Sequence, residues 1–149
     1  MKFAKQAVAI VAVMGALLAS CSSDDESSLT VELSEWSVTP SASSVDAGEV
    51  EITADNVGGE AHELVIVKGV AVDDLPFNAE TGKVVEDDLP EGSFIGEIEE
   101  FEGGEKMSQT FDLEAGEYVF FCNLAEVEDD GELESHFAEG MVTTFTVNG

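Results

Sequence analysis

The sequence contains no arginine and only five lysines, against 33 aspartates and glutamates, giving a formal charge of −28 at pH 7. Backbone phosphates are gripped by lysine and arginine, so nucleic acid is excluded as a partner. Histidines and cysteines number two each, so any chemistry that needs them is confined to a few positions. The most apolar stretch, residues 7–18 (AVAIVAVMGALL), runs to about a dozen residues where a spanning helix needs roughly 20. A permanent membrane helix is excluded on that ground. Apolar residues nevertheless make up 44% of the 149, and they fall in short alternating runs. A core is therefore available, and the length bounds the chain to one folded domain.

Lys2 and Lys5 precede the apolar stretch, and Ala19, Ser20 and Cys21 follow it, the three-part shape of a secretory signal. Residues 18–21 (LASC) resemble the bacterial lipobox. That resemblance implies cleavage after residue 20 and a diacylglyceryl group on the Cys21 thiol. The expected organisation is a signal peptide over 1–20, a lipidated Cys21 with an acidic flexible tether over 21–28, and a folded domain over 29–149. The expected location is the extracytoplasmic face of a cell membrane, in a periplasm or at the cell surface. With Cys21 lipidated, Cys122 has no disulfide partner, and a free thiol in an oxidising compartment needs another explanation.

The remainder reads as short strands separated by turn residues, with no amphipathic helix. Strands are expected over 29–38, 50–54, 62–67, 93–101, 106–113, 117–123 and 141–147. Val50, Ile52 and Ala54 should face inward, and the continuous run 62–67 (HELVIV) suits a strand buried on both faces. Residues 69–92 form an irregular acidic loop with a short helical turn. Seven or eight short strands with no helical crossovers predict an all-β protein, a Greek-key antiparallel sandwich or barrel. Trp36 and the phenylalanines 94, 101, 111, 120, 121 and 145 are assigned to the core, and Met107 to packing.

Cys122 ends a strand, His62 opens one, and His136 and Met141 share the last connection. Singly, each has a bland reading: a satisfied histidine, a small buried hydrophobe, a methionine filling a gap. Together, two imidazoles, a thiolate and a thioether suit a mononuclear copper electron-transfer site. At these positions the sequence resembles the cupredoxins, the small blue-copper proteins. Residues 56–62 (NVGGEAH) are similar to an N-x-G-x-x-x-H turn before the first histidine ligand, and 118–123 (YVFFCN) to the strand that ends in the cysteine. His136 and Met141 have the H-x-x-x-x-M spacing of plastocyanin-like members, and 141–147 is similar to the closing strand. The resemblance implies one copper, cycling between Cu(II) and Cu(I), held by His62, Cys122 and His136 with Met141 as a long axial contact. Such a set suits both oxidation states.

Two features depart from the family pattern. Thirteen residues separate Cys122 from His136, where compact members have two, and Glu63 stands where well-studied members have an asparagine that ties the ligand loop. The long loop closes at small entropic cost, roughly 0.6 kcal/mol per doubling, and presents a candidate acidic docking patch. The acidic excess reads first as solubility in a salty medium and second as steering of a basic partner. Paired carboxylates such as Asp87 with Asp88, or Asp129 with Asp130, lack EF-hand spacing and are read as solvated. The leading expectation is a monomeric, membrane-tethered shuttle that passes single electrons to a redox protein or a membrane oxidase or reductase, without chemistry on a substrate. The alternative is a copper carrier that delivers metal to a membrane enzyme. Two histidines cannot build a second copper site, which disfavours an oxidase, and a metal-free adhesion sandwich stands as the bland rival.

Overall fold

The structure is a computed structural model that describes residues 27–149. The expected signal peptide, Cys21 and most of the tether lie outside the described residues. In chain order the strands are β1 (Ser27–Ser34), β2 (Ser37–Pro40), β3 (Ser44–Asp46), β4 (Gly48–Asn56), β5 (His62–Lys68), β6 (Phe77–Asn78), β7 (Lys83–Val84), β8 (Phe94–Phe101), β9 (Lys106–Leu113), β10 (Gly116–Phe121), β11 (Ala125–Val127) and β12 (Leu133–Ser135); a single helical turn, α1 (His136–Glu139), then leads into β13 (Val142–Asn148). One sheet has the order β2-β1-β4-β9 and the other β3-β13-β10-β5-β8, with two small hairpins, β6-β7 and β11-β12, outside them. This is the expected β-sandwich. Two pairings, β1 with β4 and β13 with β3, are parallel, so both sheets are mixed where a purely antiparallel arrangement was expected.

Alternation explains how each strand faces the core. Val50, Ile52 and Ala54 on β4 are fully buried, as are Leu29, Val31 and Leu33 on β1, while the residues between them are more exposed. Central strand β5 breaks the alternation because both its faces are covered. Leu64 and Ile66 enter the main core, and Val65 and Val67 enter a second cluster with Leu75, Val84, Val119 and Phe121. The loop over 69–92 supplies that outer cover. It carries two 3-10 turns, Val72–Asp74 and Glu86–Asp88, and the β6-β7 hairpin.

Several strand assignments change in the structure. The segment 29–38 is a hairpin and not one strand: Ser34 pairs with Ser37 across a turn at Glu35 and Trp36. Its apolar residues switch from odd positions (Leu29, Val31, Leu33) to even ones (Trp36, Val38) at that turn, as a break in the pleat requires. Phe94, expected in the core, and Met107, assigned to packing, are 41% and 43% exposed. Phe94 opens β8 and Met107 lies near the start of β9, and both strands are sheet edges. Met107 and Gln109, both exposed, share a face with the buried Phe111 and Leu113, but there the core cover has ended. Asp87, Asp88, Asp129 and Asp130 are exposed, as solvated pairs should be.

Phe120 on β10 is fully buried and stacks on Phe145 of β13 with ring centroids 5.0 Å apart. Phe120→Ala should lower stability by about 3–5 kcal/mol through lost burial and a residual cavity, read as an earlier midpoint in chemical denaturation. A loss under ~1 kcal/mol would show that the core relaxes around this ring.

Candidate metal centre

Three segments meet at one end of the sandwich. His62 is the first residue of β5, Cys122 follows the last residue of β10, and His136 opens α1. His62 and Cys122 are fully buried and His136 is 3% exposed. The two Nδ1 atoms lie 3.2 Å apart, and Cys122 Sγ lies 3.4 Å from His136 Nδ1. One nitrogen from each ring and the sulfur all fall within 4.8 Å of one another. Met141 sits between α1 and β13, its side chain fully buried in the same cluster as Cys122. Its carbonyl accepts from the Cys122 N–H at 3.0 Å, and its own N–H donates to the His136 carbonyl at 2.9 Å.

Backbone and side-chain hydrogen bonds fix each approach. Asn56, fully buried, donates to the carbonyls of Glu60 (2.7 Å) and Phe101 (3.2 Å) and accepts from the Gly58 N–H (3.1 Å). This pins the turn before His62. Gly103 packs against that turn so closely that a Cβ would stand 2.7 Å from the Gly58 carbonyl oxygen. The Ser135 hydroxyl caps α1 by accepting from the Ala138 N–H at 3.1 Å, and donates to the Gly82 carbonyl at 2.5 Å, fastening the His136 turn to the β6-β7 hairpin. Asn123 bonds to both polar backbone groups of Val84 and to the Glu86 carboxylate.

Glu63 performs the task that a departure from asparagine put in question. Its backbone N–H points at Cys122 Sγ, 3.5 Å away, and its carboxylate accepts from the Asn123 N–H at 3.1 Å. The strand carrying one ligand is thereby tied to the residue after another. Burial, with Glu97 adding repulsion, pushes the Glu63 carboxyl up to about 7.

The electrostatics match a soft cation. Burial pushes the Cys122 thiol up to about 11, so the sulfur stays protonated near neutral pH and a positive charge beside it would favour the thiolate. Burial likewise holds His62 and His136 below their ordinary value, which keeps the rings neutral and their lone pairs available to a metal. Facing Nδ1 atoms at 3.2 Å share at most one proton between them. Donors bound to one ion at about 2.0–2.3 Å stand roughly 3–4 Å from each other, and both short separations fall in that range. The donor set therefore fits copper, with His62, Cys122 and His136 as the residues that would hold it.

Beyond the donors, sequence reasoning missed Glu35. The Glu35 carboxylate reaches the same turn: Oε1 accepts from the N–H groups of Gly59 and Glu60, both at 2.8 Å, and lies 3.5 Å from His62 Nε2. Trp36, assigned to the core, packs edge-on against His136 with centroids 5.0 Å apart, so it covers the donor cluster. On the outer side, Glu60, Glu100, Glu102, Glu126, Glu128 and Glu134 line a cavity of about 310 Å³ whose wall includes His136. Glu126 and Glu134 belong to the β11-β12 hairpin, which is the bulk of the long loop after Cys122. Among the described residues no lysine lines the cavity; Lys68 and Lys106 pair elsewhere, with Glu114 and Asp55.

A family model described as "Copper binding proteins, plastocyanin/azurin family" matches residues 26–148. Among solved structures the chain is similar to reduced auracyanin from the photosynthetic bacterium Roseiflexus castenholzii, at 19% identity over 83% of this chain and 98% of that one, with a TM-score of 0.57. It is similar to azurin Az-iso2 from the obligate methylotroph Methylomonas sp. strain J, at 21% identity over 83% and 98%, with a TM-score of 0.55. It is also similar to auracyanin B, at 20% identity over 83% and 89%, with a TM-score of 0.59. No curated protein sequence matches it. The structural likenesses speak to the fold; the family match covers nearly every described residue and encloses the buried His62, Cys122 and His136, and the chain belongs to the plastocyanin/azurin family of copper-binding proteins, the cupredoxins.

Proposed function

We infer that the protein carries single electrons between redox partners outside the cytoplasm, as a mononuclear type 1 copper protein tethered through a lipidated Cys21. The observation that carries this reading is the buried convergence of two Nδ1 atoms and one thiol sulfur at the end of a rigid sandwich. Copper supplies the one-electron couple. His62, Cys122 and His136 would provide the strong donors, and the buried Met141 thioether would provide a weak one. The loops that carry them are cross-linked by the Cys122–Met141, Met141–His136 and Glu63–Asn123 hydrogen bonds. Donors held this way move little when the charge at their centre changes, so little rearrangement accompanies each transfer. Full burial of His62 and Cys122, with Trp36 against His136, keeps water from the centre. A delivery protein releases its metal to an acceptor, and a closed donor set opposes release.

His136 belongs both to the donor cluster and to the acidic cavity, so its ring is the short path between centre and surface. The partner that suits this face carries lysine or arginine at its docking surface, because among the described residues no lysine stands with the six glutamates there. Steering of this kind raises the encounter rate and fades with salt.

With one equivalent of Cu(II), the protein should show an intense thiolate-to-copper band near ~600 nm and the matching EPR signal. Cys122→Ser should abolish the band, and Met141→Leu should keep the colour while raising the potential. An intensely coloured serine variant would refute the ligand assignment. Failure to hold Cu(II), with transfer of Cu(I) to an acceptor, would assign the protein to delivery. Glu126→Lys/Glu128→Lys should slow low-salt electron exchange with a small cationic redox complex by about tenfold and speed exchange with an anionic one. Equal rates with both complexes, before and after reversal, would remove the cavity from the docking surface.

A further inference from the structure

We propose that Glu35 is a positioning residue for the copper site: its carboxylate receives the Nε2–H of His62, fixes that ring's tautomer, and favours the higher oxidation state of the metal. His62 Nε2 is fully buried and is an orphan by strict hydrogen-bond distance among the described residues. Its neighbour is Glu35 Oε1 at 3.5 Å. A buried ring N–H left without an acceptor is destabilising, and the Glu35 carboxylate is placed to receive it. Metal-ligating histidines commonly give their second N–H to a carboxylate, which orients the ring and raises its basicity.

The carboxylate is itself held in place. Oε1 accepts from Gly59 and Glu60, both at 2.8 Å, in the turn that leads into His62. Gly58 makes the room: a Cβ there would stand 2.5 Å from the same oxygen. Glu35 comes from the β1-β2 turn in the opposite sheet, so it fastens the first-ligand turn to the other half of the sandwich. A fixed negative charge beside the imidazole stabilises Cu(II) more than Cu(I), and so lowers the potential. Two glycines meet at Glu35 Oε1: Gly58 by having no side chain there, and Gly59 through its N–H.

The proposal rests on copper lying among His62, Cys122 and His136, and the test separates the two. Glu35→Gln keeps an oxygen for the Gly59 and Glu60 N–H groups and removes only the charge. In the copper-loaded protein the charge-transfer band should persist, while Cu(II) affinity falls about tenfold or more and Cu(I) affinity changes little. A tenfold selective loss raises the midpoint potential by about 59 mV. Glu35→Asp, which keeps the charge on a shorter arm, should recover part of the shift. An unchanged ratio of Cu(II) to Cu(I) affinity in the glutamine variant, or equal shifts in the glutamine and aspartate variants, would reduce Glu35 to a loop clamp. Loss of the band in the unmodified protein would instead refute the copper site. If the glutamine variant does not fold, nitrogen-15 NMR of the unmodified Cu(I) protein decides: a slowly exchanging, downfield proton on His62 Nε2 supports the proposal, and an unprotonated or rapidly exchanging Nε2 overturns it.

Discussion

A thiol buried among neutral rings, in a chain with 33 carboxyl side chains and five lysines, is held in its protonated form by burial, and an imported positive charge is what brings the thiolate within reach. Most of the architecture at this end of the sandwich follows from that constraint. The sheets remove Cys122 from water, burial raises the energy of its anion, and the two imidazoles are kept neutral by the same burial. The cluster therefore presents three donors whose charge is completed only by a metal ion. What the protein contributes is placement. Asn56, Glu63, Asn123 and Ser135 spend their polar groups on tying four separate segments together, and no single one of those segments could set the donor spacing alone.

The fold was legible wherever one face of a strand is buried and the other is not. β4 and the first half of the hairpin over 29–38 alternate cleanly, and the continuous run in β5 matched a strand covered on both sides. Legibility failed where burial depends on distant cover. Phe94 and Met107 have core chemistry, but they sit on sheet edges, and edge position comes from strand order, which no local pattern states. The parallel pairings β1 with β4 and β13 with β3 are invisible for the same reason. The hairpin break at Glu35 and Trp36 did leave a trace, the shift of apolar residues from odd to even positions.

The donor residues stood out because the chain is so poor in histidine and cysteine. Scarcity made four positions conspicuous, and their order in the chain carried the family resemblance. Glutamate is the opposite case. Glu126, Glu128 and Glu134 were marked only by lying in the long acidic loop, while Glu35, Glu60, Glu100 and Glu102 are indistinguishable in sequence from the other acids, since a residue type that is everywhere marks nothing. Glu63 shows a subtler limit: a substitution that looks like the loss of a loop-tying asparagine keeps the tie, because the backbone N–H and a carboxylate oxygen supply the same two contacts.

Strand β1 starts at Ser27 and delivers the chain, eight residues later, to the turn where Glu35 meets the first histidine. Eight extended residues cover roughly 26 Å, so the point where the chain enters the domain and the redox centre occupy opposite poles. A lipid attached upstream at Cys21 would then hold the domain by its base, with the copper pole and its ring of glutamates turned outward, away from the bilayer surface. In that proposed orientation an electron would be exchanged with whatever approaches from the aqueous side, and the anchor would confine diffusion to two dimensions without shielding the exchange face.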